Sequence, residues 1–286
     1  MRRRRFLALA AAALAAPAAP ARAQTRWQGR AFGADCALTL SGDARAAGAA
    51  LAGLPAVIEA VEAEFSLYRP SALTRLNDSG RLDPSPAFRA LVGLADAVHR
   101  LTDGAFDPSI QPLWQALARG GTGTGAPVGW QHVGLGNAVT LRPGMALTFN
   151  GIAQGFGADA VKAHLAAHGF GRALIDMGEI AALGGPFHVG IADPQHGQLA
   201  TRRLEGTAIA TSSPHATLVN GQPHILHPRG LPPLWSSVTV EATTAALADA
   251  LSTALVFLPA ERIARLRHPG LIRITLIDPR GDLTTL

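Results

Sequence analysis

Apolar positions along this chain alternate between two spacings. Over residues 44–68, Leu51, Leu54, Ile58, Val61 and Phe65 recur near helical spacing and predict a helix, which Tyr68-Arg69-Pro70-Ser71 ends in a loop. The same spacing returns over Pro86–Leu101, closed at Gly104, over 153–168, stopped by Gly169, and over 245–258. Shorter runs predict strands at 30–40, 139–141, 146–149, 173–176, 187–191, 208–210, 237–241, 272–277 and 283–286. Two more, 216–219 and 223–227, flank Asn220-Gly221, a strong hairpin signal. Strands and helices mix without regular βαβ alternation or internal repeat, so the expected class is α+β, mixed sheets packed with helices.

Composition narrows this picture. The 31 glycines and 20 prolines among 286 residues imply many turns between short elements, and 48% hydrophobic residues exclude a disordered chain. Five arginines (Arg2, Arg3, Arg4, Arg5 and Arg22) precede residue 24 with no acid among them; without them the chain is neutral. No basic stripe remains to track nucleic acid. Residues 1–23 read as an export signal. Arg3-Arg4 lies ahead of Phe6-Leu7 in a twin-arginine-like arrangement, an Ala/Leu run follows, and Ala21 and Ala23 offer a cleavage site. The expected place is the periplasm, with 24–286 as one domain. No later stretch reads as long and apolar enough to span a bilayer, so an integral membrane protein is not expected. Cys36, the only cysteine, excludes an intramolecular disulfide and reads as a small apolar strand residue. Lys162, the only lysine, excludes a Walker-type phosphate loop.

Three features carry candidate chemistry. Asp249 lies on an apolar helix with Thr253 one turn later on the same face. A carboxylate and a hydroxyl so placed are a fragment of a hard-cation site. They also fit an Arg-paired or solvated Asp beside a Thr bonded back to its own helix. Asn150-Gly151-Ile152-Ala153-Gln154-Gly155-Phe156-Gly157 places glycines at a helix start, where a phosphate can approach the backbone. A plain helix packed on a sheet fits it equally. His224 and His227, on opposite faces of a predicted strand, are poor joint metal ligands; one of them is a candidate base.

Together and in order, these pieces resemble the ApbE family of FAD:protein FMN transferases. The resemblance is carried by Phe65-Ser66-Leu67-Tyr68-Arg69-Pro70, Gly104-Ala105-Phe106-Asp107, Gly151 to Phe156, Asp176-Met177-Gly178-Glu179, Ala210-Thr211-Ser212, His224 to Arg229, and Ser237 to Val240 with Ala248 to Ala254. It implies Mg²⁺, with Mn²⁺ as a substitute, held by Asp249, Thr253 and the Ala153 carbonyl. It implies FAD contacts at Phe32, Tyr68, Ala105, Phe106, Asp107, Asn150 and Phe156, of which Phe32 is the weaker match. It implies catalytic roles for Asp249 and for His224 as base or orienting group. The implied reaction moves the FMN half of FAD to a Ser or Thr hydroxyl of an acceptor redox flavoprotein, releasing AMP. Two competing readings are an exported FAD-binding or scavenging protein and an FAD pyrophosphatase that gives FMN and AMP.

The chain departs from the family pattern in several places. Gln154 stands where relatives have Lys, His227 where an Asp precedes Pro-Arg, and Gly230 where a Thr often follows. Ser213-Pro214-His215 replaces a commoner Gly-Asp-Tyr, and Asp278-Pro279-Arg280-Gly281 falls in a C-terminal turn.

Overall fold

The computed structural model describes residues 24–286; the expected export signal over 1–23 lies outside them. A hairpin of β1 (Gln24–Ala31) and β2 (Ala34–Ser41) opens the chain, followed by α1 (Ala44–Phe65), α2 (Ala72–Ser79), β3 (Arg81–Leu82) and α3 (Pro86–Leu101). A 3-10 turn at Pro108–Ile110 leads to α4 (Gln111–Ala118), β4 (Gly134–Leu135) and β5 (Val139–Thr140). Next come α5 (Ala153–Ala167), β6 (Ala173–Asp176), β7 (Ile180–Leu183), β8 (Phe187–Asp193), β9 (Gly197–Leu204) and β10 (Ala208–Ser212). The chain closes through β11 (Leu218–Val219), β12 (Gln222–Pro223), β13 (Ser237–Ala242), α6 (Ala245–Leu255), α7 (Ala260–Ile263), β14 (Leu271–Ile277) and β15 (Leu283–Thr285).

Eight strands form one antiparallel sheet in the order β1-β2-β6-β7-β10-β13-β14-β15. The fold is a mixture of antiparallel sheets and helices, as expected. Alternate side chains of the sheet serve two cores. Ala173 and Ile175 of β6 pack with α1 and α5, and Val238 and Val240 of β13 pack with α3 and α6. Leu174, Ile209 and Ile277 point the other way, onto the β8–β9 hairpin. Helix α6 is almost wholly buried, Asp249 included. Each of its leucines withdrawn from water contributes about 1.5–3 kcal/mol.

Several expected elements change form. The strand expected over 30–40 is instead a hairpin, because Phe32 and Gly33 turn the chain with φ of 54° and 78°. This is the left-handed pair a two-residue hairpin turn requires. Residues 146–149, expected as a strand, run without a ladder. The Asn77 side chain takes the place of a neighbouring strand there, accepting from the Leu147 N–H at 2.7 Å and donating to its carbonyl at 2.9 Å. The strand expected over 223–227 shrinks to Gln222–Pro223, and His224 onward is irregular. Helix α1 corrects the membrane expectation. Its most apolar 18 residues have mean hydropathy 1.4, enough by length and composition to cross a bilayer. In the fold, Ala47, Ala50, Leu54, Val61 and Phe65 of this helix pack into the core.

Candidate active site

Helices α5 and α6 meet through residues spaced four apart on each. The Gly155 N–H donates to Oδ2 of Asp249 at 3.1 Å. One turn further along α6, Thr253 abuts Gly151, where an added Cβ would lie 2.9 Å from Oγ1. At Gly155 a Cβ would fall 2.3 Å from the Ala245 carbonyl oxygen. Glycine at these two places therefore lets α6 approach closely, so helix packing fills the space that the sequence pattern left open to a phosphate. Thr253 Oγ1 is also 3.4 Å from Ser212 Oγ, which itself pairs with Ser252 Oγ at 2.8 Å.

Carboxylates concentrate around this junction. Burial pushes Asp249 up to about 7, against the Gly155 N–H, which favours the charge, and with help from the negative charge of Asp159. Glu179, half-buried at its surface, is held well above the usual carboxylate range by burial of its carboxyl and then by Asp249; the Thr211 N–H offsets this in part. Burial also raises Asp176. Among the described residues, no Arg or Lys forms an ion pair with Asp176, Glu179 or Asp249. Holding such buried acids in the charged form is costly, a cost that a proton or a bound cation relieves.

The donor set fits magnesium. Asp249, Thr253 and the Ala153 carbonyl are all hard oxygen donors. No cluster of three or more His, Cys, Asp or Glu that could hold a metal occurs among the described residues, so any such ion would also need hydroxyl or backbone carbonyl ligands.

His224 is held by its Nδ1, which donates to the carbonyls of Pro214 at 3.0 Å and Thr217 at 3.1 Å. Carbonyls only accept, so Nδ1 carries the proton and the lone pair is left on Nε2. Burial lowers its pKa, the two carbonyls oppose this, and His215 lowers it slightly further. His227 is a packing residue: it is buried, its Nδ1 accepts the Arg229 N–H at 3.0 Å, and its ring meets Phe257 edge-on.

Phe32 is clamped from three sides. Its N–H donates to Glu62 Oε1 at 3.0 Å, its carbonyl accepts from Gln154 Nε2 at 3.2 Å, and its ring covers Gly157. Arg69 in turn pairs with Glu59 and Glu62, which ties the segment bearing Tyr68 to Phe32. Tyr68 itself is 74% exposed.

A family model described as the ApbE family matches residues 32–272. The chain belongs to the ApbE family. Among curated ApbE relatives, the FAD:protein FMN transferase of Escherichia coli (strain K12) is 25% identical over 264 residues, covering 79% of this chain and 75% of its own. The enzyme of the same name from Klebsiella pneumoniae (strain 342) is 26% identical over 306 residues, covering 93% and 87%. The fold also matches solved structures. The ApbE protein of Thermotoga maritima has TM-score 0.80 at 22% identity over 92% of this chain and 96% of its own. The Pseudomonas stutzeri flavinyl transferase ApbE has 0.78 at 24% over 92% and 94%.

The ApbE motif residues fall into distinct groups. Ala153, Asp249 and Thr253 gather at the α5–α6 junction, with Asn150 exposed just before Gly151. The loop carrying Ala105, Phe106 and Asp107 joins that lead-in through the Thr148 N–H, which donates to the Pro108 carbonyl at 2.8 Å. Ala105 and Phe106 are buried. The Asp107 carboxylate is occupied internally by Ser109 and the Trp130 N–H. Phe156 lines a groove of about 690 Å³ between α1 and α5, against Phe65. Sequence reasoning missed Glu179 and Asp159 as site residues. An acid four residues after Gly155, on a helix otherwise lightened by Gly and Ala, was the available signal for the second.

Proposed function

We propose that this chain is an exported, magnesium-dependent enzyme that moves the FMN half of FAD onto a Ser or Thr hydroxyl of an acceptor flavoprotein, with a periplasmic site of action. The observation that carries the reading is the Asp249–Thr253 pair set against the glycine-lightened start of α5, in a chain of the ApbE family. The names of the curated relatives support the substrate, FAD, and the product class, a protein bearing FMN.

In the proposed reaction, the acceptor hydroxyl oxygen forms a bond to the FMN phosphorus while the bond from that phosphorus to the bridging oxygen breaks, and AMP leaves. Asp249, Thr253 and the Ala153 carbonyl would hold Mg²⁺, which neutralises diphosphate charge and eases departure of AMP. His224 accepts the hydroxyl proton at Nε2, since Nδ1 is committed to two carbonyls. The half-buried setting of His224 keeps it neutral and ready to accept near pH 7.

Incubation of residues 24–286 with FAD, Mg²⁺ and a Ser/Thr acceptor domain tests this. Flavin fluorescence that stays on the acceptor through denaturation supports transfer. Free FMN and AMP point to hydrolysis, and retained FAD with neither product points to a binding protein.

A further inference from the structure

Above the two contacts already described, α5 and α6 share a third. The Asp159 carboxylate accepts the Ala245 N–H on Oδ1 and the Ala246 N–H on Oδ2, each at 2.9 Å. Positions 159, 155 and 151 therefore meet 245–246, 249 and 253 in turn, an antiparallel ladder with one rung per helical turn. The local cap of α6, Thr244, reaches only the Leu247 N–H, at 3.4 Å. Without Asp159, the first two N–H groups of α6 would have no acceptor from their own helix. A carboxylate there also meets the positive end of the helix dipole.

Resting on the metal-site reading above, we propose that Asp159 is a positioning residue that fixes the register of α6 on α5 and so sets Asp249 and Thr253 for metal binding. The two bonds come from a different helix, so they resist both sliding and rotation of α6. A slip of one residue moves α6 by about 1.5 Å and turns it by about 100°. That would carry Asp249 off the Gly155 N–H and Thr253 off Gly151. The glycine contacts alone permit close approach but provide one directional bond; Asp159 supplies the other two. Lys162, one turn along α5, donates to the Gly206 carbonyl at 2.7 Å.

The test is Mn²⁺ binding to purified residues 24–286 without FAD, followed by electron paramagnetic resonance, with the metal-free melting temperature of each variant measured alongside. Asp159→Asn, whose amide offers one acceptor oxygen instead of two, should weaken Mn²⁺ binding about ten-fold or more. Adding Thr244→Asp to it restores a negative charge at the start of α6 from the same helix. That double variant should regain melting temperature but not Mn²⁺ affinity. Asp159→Glu, which keeps both oxygens on a longer arm, should fold and also bind Mn²⁺ more weakly. Mn²⁺ affinity within about two-fold of the parent in Asp159→Asn and Asp159→Glu, or affinity restored by Thr244→Asp, overturns the proposal by reducing Asp159 to an ordinary helix cap. A parent protein that binds no Mn²⁺ instead removes the metal site itself, and the inference with it.

Discussion

The Gly155 N–H and Oδ2 of Asp249 meet at 3.1 Å, joining the first turn of one helix to the middle of another across 94 residues. The bond depends on the absence of a side chain at 155, since a Cβ there would press on the Ala245 carbonyl. Gly155→Ala should therefore force α6 outward. We expect a loss of about 1–3 kcal/mol in stability, from overpacking, and weaker Mg²⁺-dependent protection against heat. Thermal melts with and without Mg²⁺ read both; a variant with parental melting and parental Mg²⁺ response contradicts the close contact.

Asp249→Asn should separate stability from activity. The native protein keeps a proton on Asp249 up to about pH 7, whereas the unfolded chain releases it near pH ~4. The native state thus binds more protons across that window, and this group's contribution to stability falls as pH rises through it. Asn can still accept the Gly155 N–H but carries no charge. Metal-free Asp249→Asn should be more stable than the parent at pH 8, with the gap closing toward pH 4, while FMN transfer is lost. Denaturant melts at the two pH values check the sign.

Much of this arrangement was legible in the sequence where local chemistry decides the structure. Helix α3 runs as expected because Ser85 caps it and Pro86 takes its first position. Strand β6 matches residue for residue, and Asn220-Gly221 turns the β11–β12 hairpin. What escaped depended on distant partners. Residues 146–149 have a strand's composition, yet their hydrogen bonds go to Asn77, which no local pattern announces. Strand β9 carries Arg202 and Arg203 and packs against β8 with few apolar residues to mark it. Helix α2 hid behind Pro70, though Ser71 and Thr74 form a capping box. At the site, the Asp249–Thr253 spacing was visible, but Asp159 acquires its role only because two helices cross.

His224→Gln should keep FAD binding and slow transfer by about 10²–10⁴. In the parent, transfer should fall on the acid side as the imidazole protonates, with a midpoint below its ordinary value of 6.5 because burial disfavours the cation. Rate–pH profiles of both proteins test this; an acid limb that survives in His224→Gln reassigns the proton acceptor.

Phe32→Gly should expose what the left-handed turn is for. Glycine adopts φ near 54° without strain, so the β1–β2 hairpin should persist. The ring over Gly157 is lost, and with it part of the surface expected to meet the flavin. We expect near-parental folding by circular dichroism and a raised KM for FAD. An unchanged KM excludes Phe32 from the nucleotide site.

The decisive measurement is an anomalous difference map at the manganese edge from a crystal soaked with FAD and Mn²⁺. A peak in contact with Asp249, Thr253 and the Ala153 carbonyl, touching the FAD diphosphate, is the predicted result. Bound nucleotide with the peak elsewhere, or with none at all, contradicts it.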